Sequence, residues 1–131
     1  MNLTNAIALS NRDQRIFGCL NDGLNFCAPE TFRAELGYGA KVDEYAIGVL
    51  AYYMFSGGEY PYQIPLTIKK DEKIYRFISK SCIDFKHLIW SRYQSRPELE
   101  MLIRGLLSID EKRRISAAEA LKSTIFTSKF R

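Results

Sequence analysis

The sequence has no apolar run long enough to cross a bilayer. Its longest, over residues 42–57, carries Asp43 and Glu44 near its start and falls short of the roughly 20 apolar residues that a span requires. The N-terminus lacks a basic start followed by an apolar stretch, so no signal peptide is expected. Cysteine is scarce: Cys19, Cys27 and Cys82 form neither a C-x-x-C pair nor an even set. That argues against a disulfide framework and for reduced thiols in the cytoplasm. Histidine occurs once, as His87, and tryptophan once, as Trp90. Charge of one sign does not accumulate, since 19 Lys and Arg against 15 Asp and Glu leave a net charge of +4 with the bases scattered. A nucleic-acid binder would gather them on one face. Neither a nucleic acid nor a membrane is therefore expected as a partner. No internal repeat or low-complexity tract is present.

What is there suits one globular domain with a modest core: 131 residues, 47% hydrophobic and 26% charged. Residues 42–57 read VDEYAIGVLAYYMFSG. Tyr45, Ile47, Val49, Leu50, Tyr52, Tyr53, Met54 and Phe55 leave almost no polar side. A helix buried all round is predicted, with Asp43 placed to cap its start. It should stop at Ser56-Gly57-Gly58 and pass into an extended loop through Tyr60-Pro61-Tyr62.

Residues 1–27 read as irregular, with an apolar β-like piece over 3–9 and a turn-rich run holding Gly18, Asn21, Asp22 and Gly23. Pro29 fits a first helical turn, and a short helix should close near Gly37. Residues 71–80 suit a surface helix with Ile74, Phe77 and Ile78 on its inner stripe. Residues 81–95 read as a loop around Trp90. Over 97–108, Leu99, Leu102, Ile103, Leu106 and Leu107 fall at i, i+3, i+4, i+7 and i+8, a firm helical period. The S-x-x-E run Ser116-Ala117-Ala118-Glu119 is a capping box opening a last helix, which should bury Ala120 and Leu121. A disordered tail over 127–131 is expected. The fold class is mainly α.

Three features fall in one order. Ala28-Pro29-Glu30 is followed by Asp43 at the head of the apolar helix, in the run D-x-Y-x-x-G-V with Tyr45, Gly48 and Val49. GGEYPY comes next, and then SIDEKRRISAAEAL with Asp110, Arg114, Ser116, Glu119 and Leu121. Together these resemble the helical C-terminal lobe of a eukaryotic protein kinase, of the Ser/Thr type and the calcium/calmodulin-dependent kind. In that family an A-P-E motif closes the activation segment. The resemblance implies that residues 1–27 are a degenerate activation segment and 28–126 the lobe helices. It implies a buried ion pair between Glu30 and Arg114, and an Asp43 that accepts hydrogen bonds from the catalytic loop. Read without it, Glu30 and Arg114 would be two solvated charges.

Phosphoryl transfer in this family needs a Gly-rich loop, a strand-borne lysine, a catalytic aspartate and metal-holding Asn and Asp. The sequence has no G-x-G-x-x-G, and its one histidine lies far beyond Glu30, so no ordinary H-R-D loop is present. Asn11-Arg12-Asp13 is no substitute, because no asparagine stands five residues after Asp13. Counting back from Glu30, residues 2–9 resemble the metal motif with Asn5 in place of its aspartate, a poorer Mg²⁺ ligand. Gly23 stands where the Ser/Thr kinases keep a threonine. Ser10 is a hydroxyl of the activation segment and the candidate phosphosite.

No catalytic residue is assigned, and alone the chain is expected to hold no cofactor and no metal. ATP and Mg²⁺ would bind only with an upstream kinase segment. In the family the central helix packs on an earlier helix and the catalytic loop, and the β lobe too is missing from this sequence. One helix face should then stand uncovered, which marks an interface. Three functions remain open: a partial domain unable to transfer phosphate alone, the C-terminal part of an active Ser/Thr kinase completed by a missing half, or a non-catalytic interaction module. The basic group Lys69, Lys70, Lys73, Arg76 and Lys80 reads as a docking face or as plain solvated helix.

Overall fold

The computed structural model describes residues 7–11, 14–16 and 23–127. Two short 3₁₀ helices, Leu24–Phe26 and Pro29–Phe32, lead into α1 (Lys41–Ser56). α2 (Asp71–Lys80) follows, then a third 3₁₀ helix (Leu88–Tyr93), α3 (Pro97–Leu106), α4 (Ala117–Ala120) and α5 (Thr124–Thr127). Among the described residues the only β pairing is one antiparallel bridge between Ile16 and Tyr38. The architecture is mainly helical.

α1 is the hub. Tyr45, Val49 and Tyr52 bury one stripe against Trp90 and against Leu99, Ile103 and Leu107 of α3 and its end. These positions are spaced i, i+4, i+7, so they share one face. Gly48 lies on the same side, and a Cβ there would stand 2.8 Å from Leu106 Cβ and 3.0 Å from Leu107 Cδ2. Glycine is what lets α1 and α3 approach so closely. α1 ends on Gly57 at φ 80°, a left-handed turn that glycine adopts without steric cost. A second cluster unites Ile74 and Ile78 of α2 with Cys27, Phe32 and Tyr62. A third joins Leu102 and Leu106 to Ala120.

Several expectations are corrected. α1 is not buried all round: Ile47 (49%), Leu50 (41%) and Met54 (69%) are exposed on the stripe turned away from α3, in agreement with one uncovered face. Asp43 does not cap α1. The N-cap is Ala40, without a side-chain cap, and Asp43 sits inside the first turn. The helix after Pro29 is a single 3₁₀ turn ending at Phe32. Residues 81–95 are not all loop, because His87 accepts from Ile89 N and starts the Leu88–Tyr93 helix. The capping box forms with both hydrogen bonds, but α4 is so short that Leu121 lies beyond it, 67% exposed. Residues 7–9 are described and form no strand. Thr127 is helical. Residues 1–6 and 128–131 lie outside the described residues, and with them most of the β-like piece and of the tail.

Candidate functional site

The 3₁₀ turn Pro29–Phe32 sets the position of Glu30. Pro29 supplies the fixed φ of a first helical residue, and the Ala28 carbonyl accepts from both Thr31 N at 3.0 Å and Thr31 Oγ1 at 2.6 Å. Ala28 is fully buried, so the turn is seated in the core and its glutamate points inward. From the other end of the chain, Asp110 builds the turn that carries Arg114. Its carbonyl accepts from Arg113 N and Arg114 N, and its Oδ1 from Lys112 N at 2.9 Å.

The two side chains meet in a bidentate pair: Arg114 Nη1 to Glu30 Oε1 at 2.6 Å and Nη2 to Oε2 at 2.9 Å. Arg114 Nη1 also donates to the Lys41 carbonyl at 2.8 Å, while Nε and Nη2 donate to the Ser108 carbonyl at 3.1 and 3.0 Å. A guanidinium has five N–H donors, and each finds an acceptor here. The ring of Tyr45 lies 5.1 Å from the guanidinium carbon, and burial pushes the Tyr45 phenol far above its ordinary value. Lys41 Nζ returns a hydrogen bond to the Arg114 carbonyl. The pair thus welds the turn at Glu30, the start of α1 and the turn before α4. With its donors fully used it offers nothing to a substrate. It is an anchor.

The remaining site residues lie apart. Gly48 belongs to the α1–α3 contact. Asp43 is exposed, and among the described residues no donor reaches its carboxylate. Desolvation, with the neighbouring Glu44 charge, raises its pKa above the ordinary aspartate value. Ser10 is exposed, and both its N and its Oγ donate to Gln14 Oε1. Asn5 lies outside the described residues. Gly23, at φ 70°, caps the Leu24–Phe26 turn.

The sequence reading missed Arg15. It pairs with Glu111 at 2.7 Å and donates to the carbonyls of Gly37 at 2.6 Å and Leu36 at 3.3 Å, beside the Ile16–Tyr38 bridge. A second tie therefore holds residues 14–16 to the lobe. Its partners are mostly backbone carbonyls, which leave no signal in a sequence.

A family model for the protein kinase domain matches residues 14–126. The chain belongs to the protein kinase domain family. Among solved structures, it is similar to a crystal structure of Rad53 1–466 in complex with AMP-PNP, at 24% identity and a TM-score of 0.64. The match covers 82% of this chain and 27% of that one, so the chain spans about a quarter of the length of the kinase it resembles. The likeness shows the fold, a helical C-lobe-like part of a kinase.

Proposed function

We propose that this chain is the helical lobe of a Ser/Thr protein kinase-like domain and does not bind ATP or transfer phosphate by itself. The observation that carries the reading is the open stripe of α1. Ile47, Leu50 and Met54 stand exposed at i, i+3 and i+7, and Asp43 lies one turn earlier with no donor among the described residues. In the family the central helix packs on a catalytic loop and an earlier helix, and the open stripe is where we place them. A kinase segment that brings those parts would cover the apolar stripe and give Asp43 its hydrogen bonds. We propose such a segment as the partner, with phosphoryl transfer arising only in the completed domain.

The residues described here do not fit a Mg²⁺–nucleotide. Among them no group of three His, Cys, Asp or Glu side chains is arranged to hold a metal ion, and the sequence offers no Gly-rich loop. No catalytic step is assigned to this chain. Ser10 remains the proposed phosphosite, on an exposed segment ahead of the Arg15 tie. Cys82 carries a free, exposed thiol, which supports the cytoplasmic setting we propose. No helix of the described residues is long and apolar enough to cross a membrane.

The test is a thermal melt of the full chain with and without Mg²⁺–ATP, repeated with a kinase-family segment carrying the Gly-rich loop, the lysine and the H-R-D loop. An unmoved melt for the chain alone and a nucleotide-dependent rise for the mixture are expected. A rise for the chain alone would overturn the proposal.

A further inference from the structure

A hollow of about 270 Å³ opens between the C-terminal ends of α1 and α2. It lies away from the Glu30–Arg114 anchor and from the open stripe of α1, so it is independent of the function proposed above. Four of its ten lining residues are aromatic: Tyr52 from α1, Tyr60 and Tyr62 from the loop that follows, and Phe77 from α2. Two carboxylates, Glu59 and Asp84, share its lining, and no Lys or Arg does.

Both carboxylates have capacity to spare. Glu59 is held by its backbone, since Ser56 Oγ accepts from Glu59 N and donates to Glu59 O, each at 3.0 Å. Its side chain meets no donor among the described residues. Asp84 Oδ1 accepts from Lys86 N at 2.7 Å and His87 N at 3.2 Å. Its Oδ2 has no donor among the described residues. Tyr52 Oη donates to the Asp84 carbonyl at 2.6 Å, which pins the loop across the hollow. Desolvation pushes the Tyr62 phenol up to about 12, so it stays neutral and able to accept a hydrogen bond.

Aromatic faces attract cations through their quadrupole, most strongly where water is excluded. Carboxylates attract them by charge, and a guanidinium answers both with a planar fork that stacks and donates at once. We infer that this hollow is a binding site for a guanidinium group on a short aliphatic stem, as on an arginine side chain. A neutral ligand of the same shape would leave the two carboxylates without a counter-charge. An anion would be repelled by them.

Cys82 provides the readout. It lies in the wall of the hollow, and it is exposed while Cys27 is buried. The experiment follows iodoacetamide alkylation of the full chain, with the label at Cys82 quantified by mass spectrometry, across a titration of N-acetyl-arginine amide. Saturable protection of Cys82 is expected. The citrulline analogue, neutral but of nearly the same shape, should not protect. Glu59→Gln and Asp84→Asn should each weaken protection about tenfold, the effect of one lost charge-assisted hydrogen bond, while circular dichroism confirms that they fold. A short arginine-bearing peptide separates the two sources of the group. Tighter protection by the peptide means an arginine presented on a chain, and equal protection means the free molecule. Non-saturable protection, equal protection by citrulline, or full protection in Glu59→Gln would overturn the assignment.

Discussion

Replacing Arg114 with alanine would strip the buried carboxylate of Glu30 of both its hydrogen bonds and its counter-charge. The carbonyls of Lys41 and Ser108 would lose their donors in the same step. The side chains of the pair are 0% and 7% exposed, so water cannot easily take the place of the guanidinium. Removing one partner of a buried ion pair typically costs about 3–5 kcal/mol, against a total stability of about 5–15 kcal/mol for a domain. The expected result for Arg114→Ala is a loss in that range, read as a lowered urea midpoint. Glu30→Gln should cost less, because its amide oxygen still accepts one hydrogen bond. Pairing Arg114→Met with Glu30→Leu should restore part of the loss, since no charge is then left buried. Urea unfolding read by the fluorescence of Trp90, the single tryptophan and a member of the α1 core, measures all of these. A loss of under about 1 kcal/mol for Arg114→Ala, or a double variant whose loss is simply the sum of the singles, would refute the account of the anchor.

Gly48→Ala should destabilise by about 1–3 kcal/mol in the same assay, although alanine is the better helix former, because the new methyl meets Leu106 Cβ; a stabilised variant would contradict the packing. Ser116→Ala removes a cap and should cost about 1 kcal/mol, seen as a lowered Tm. The Glu119 carboxyl is held below its ordinary value by the backbone N–H and hydroxyl of Ser116. Its share of stability is therefore present above the ordinary glutamate range and is lost as the pH falls through the depressed folded-state value, and Glu119→Gln should flatten that acid limb. Met54→Gln and Ile47→Gln should change the stability of the isolated chain by no more than about 0.5 kcal/mol and reduce self-association in size-exclusion chromatography; a large loss of stability would mean that the stripe is not open.

What could be read in advance followed side-chain period. α2 spans Asp71–Lys80 as its inner Ile74 and Ile78 required. α3 keeps its five-residue apolar pattern, yet ends at Leu106 because Leu107 leaves the helical region at φ −92°, ψ 12°. Glu30 and Arg114 were legible as a pair only through the kinase resemblance, since 84 residues separate them and the nearer acceptor of Arg114 is a backbone carbonyl, that of Ser108. The one-sidedness of α1 was hidden from its composition. Ile47 and Val49 are equally apolar, and only the position of α3 decides which is covered. Asp43 suited an N-cap by residue type, but α1 begins at Lys41, directly after its N-cap Ala40, which puts the aspartate three residues past the cap and inside the first turn. Arg15 could not be found by any period, because its salt-bridge partner lies 96 residues away and its other acceptors are carbonyls.

The two ends of α1 differ in how completely they are satisfied, and this difference bears on the proposed function. At its start, Lys41 exchanges hydrogen bonds with Arg114 in both directions, and Glu44 accepts from Ala117 N at 3.3 Å. Toward its end, Tyr52 and Phe55 pack edge-on against Phe85 and Tyr93. Between these fixed points the outward stripe of Ile47, Leu50 and Met54 touches neither anchor, so covering it would require no rearrangement of the lobe. A partner that docked there would meet a preformed surface and avoid the ordering cost that weakens coupled folding and binding. Asp43, already partly desolvated, would gain most from backbone donors brought by that partner. On this reasoning the measurable sign of completion is a fall in the Asp43 pKa on binding, from above to below the ordinary aspartate value.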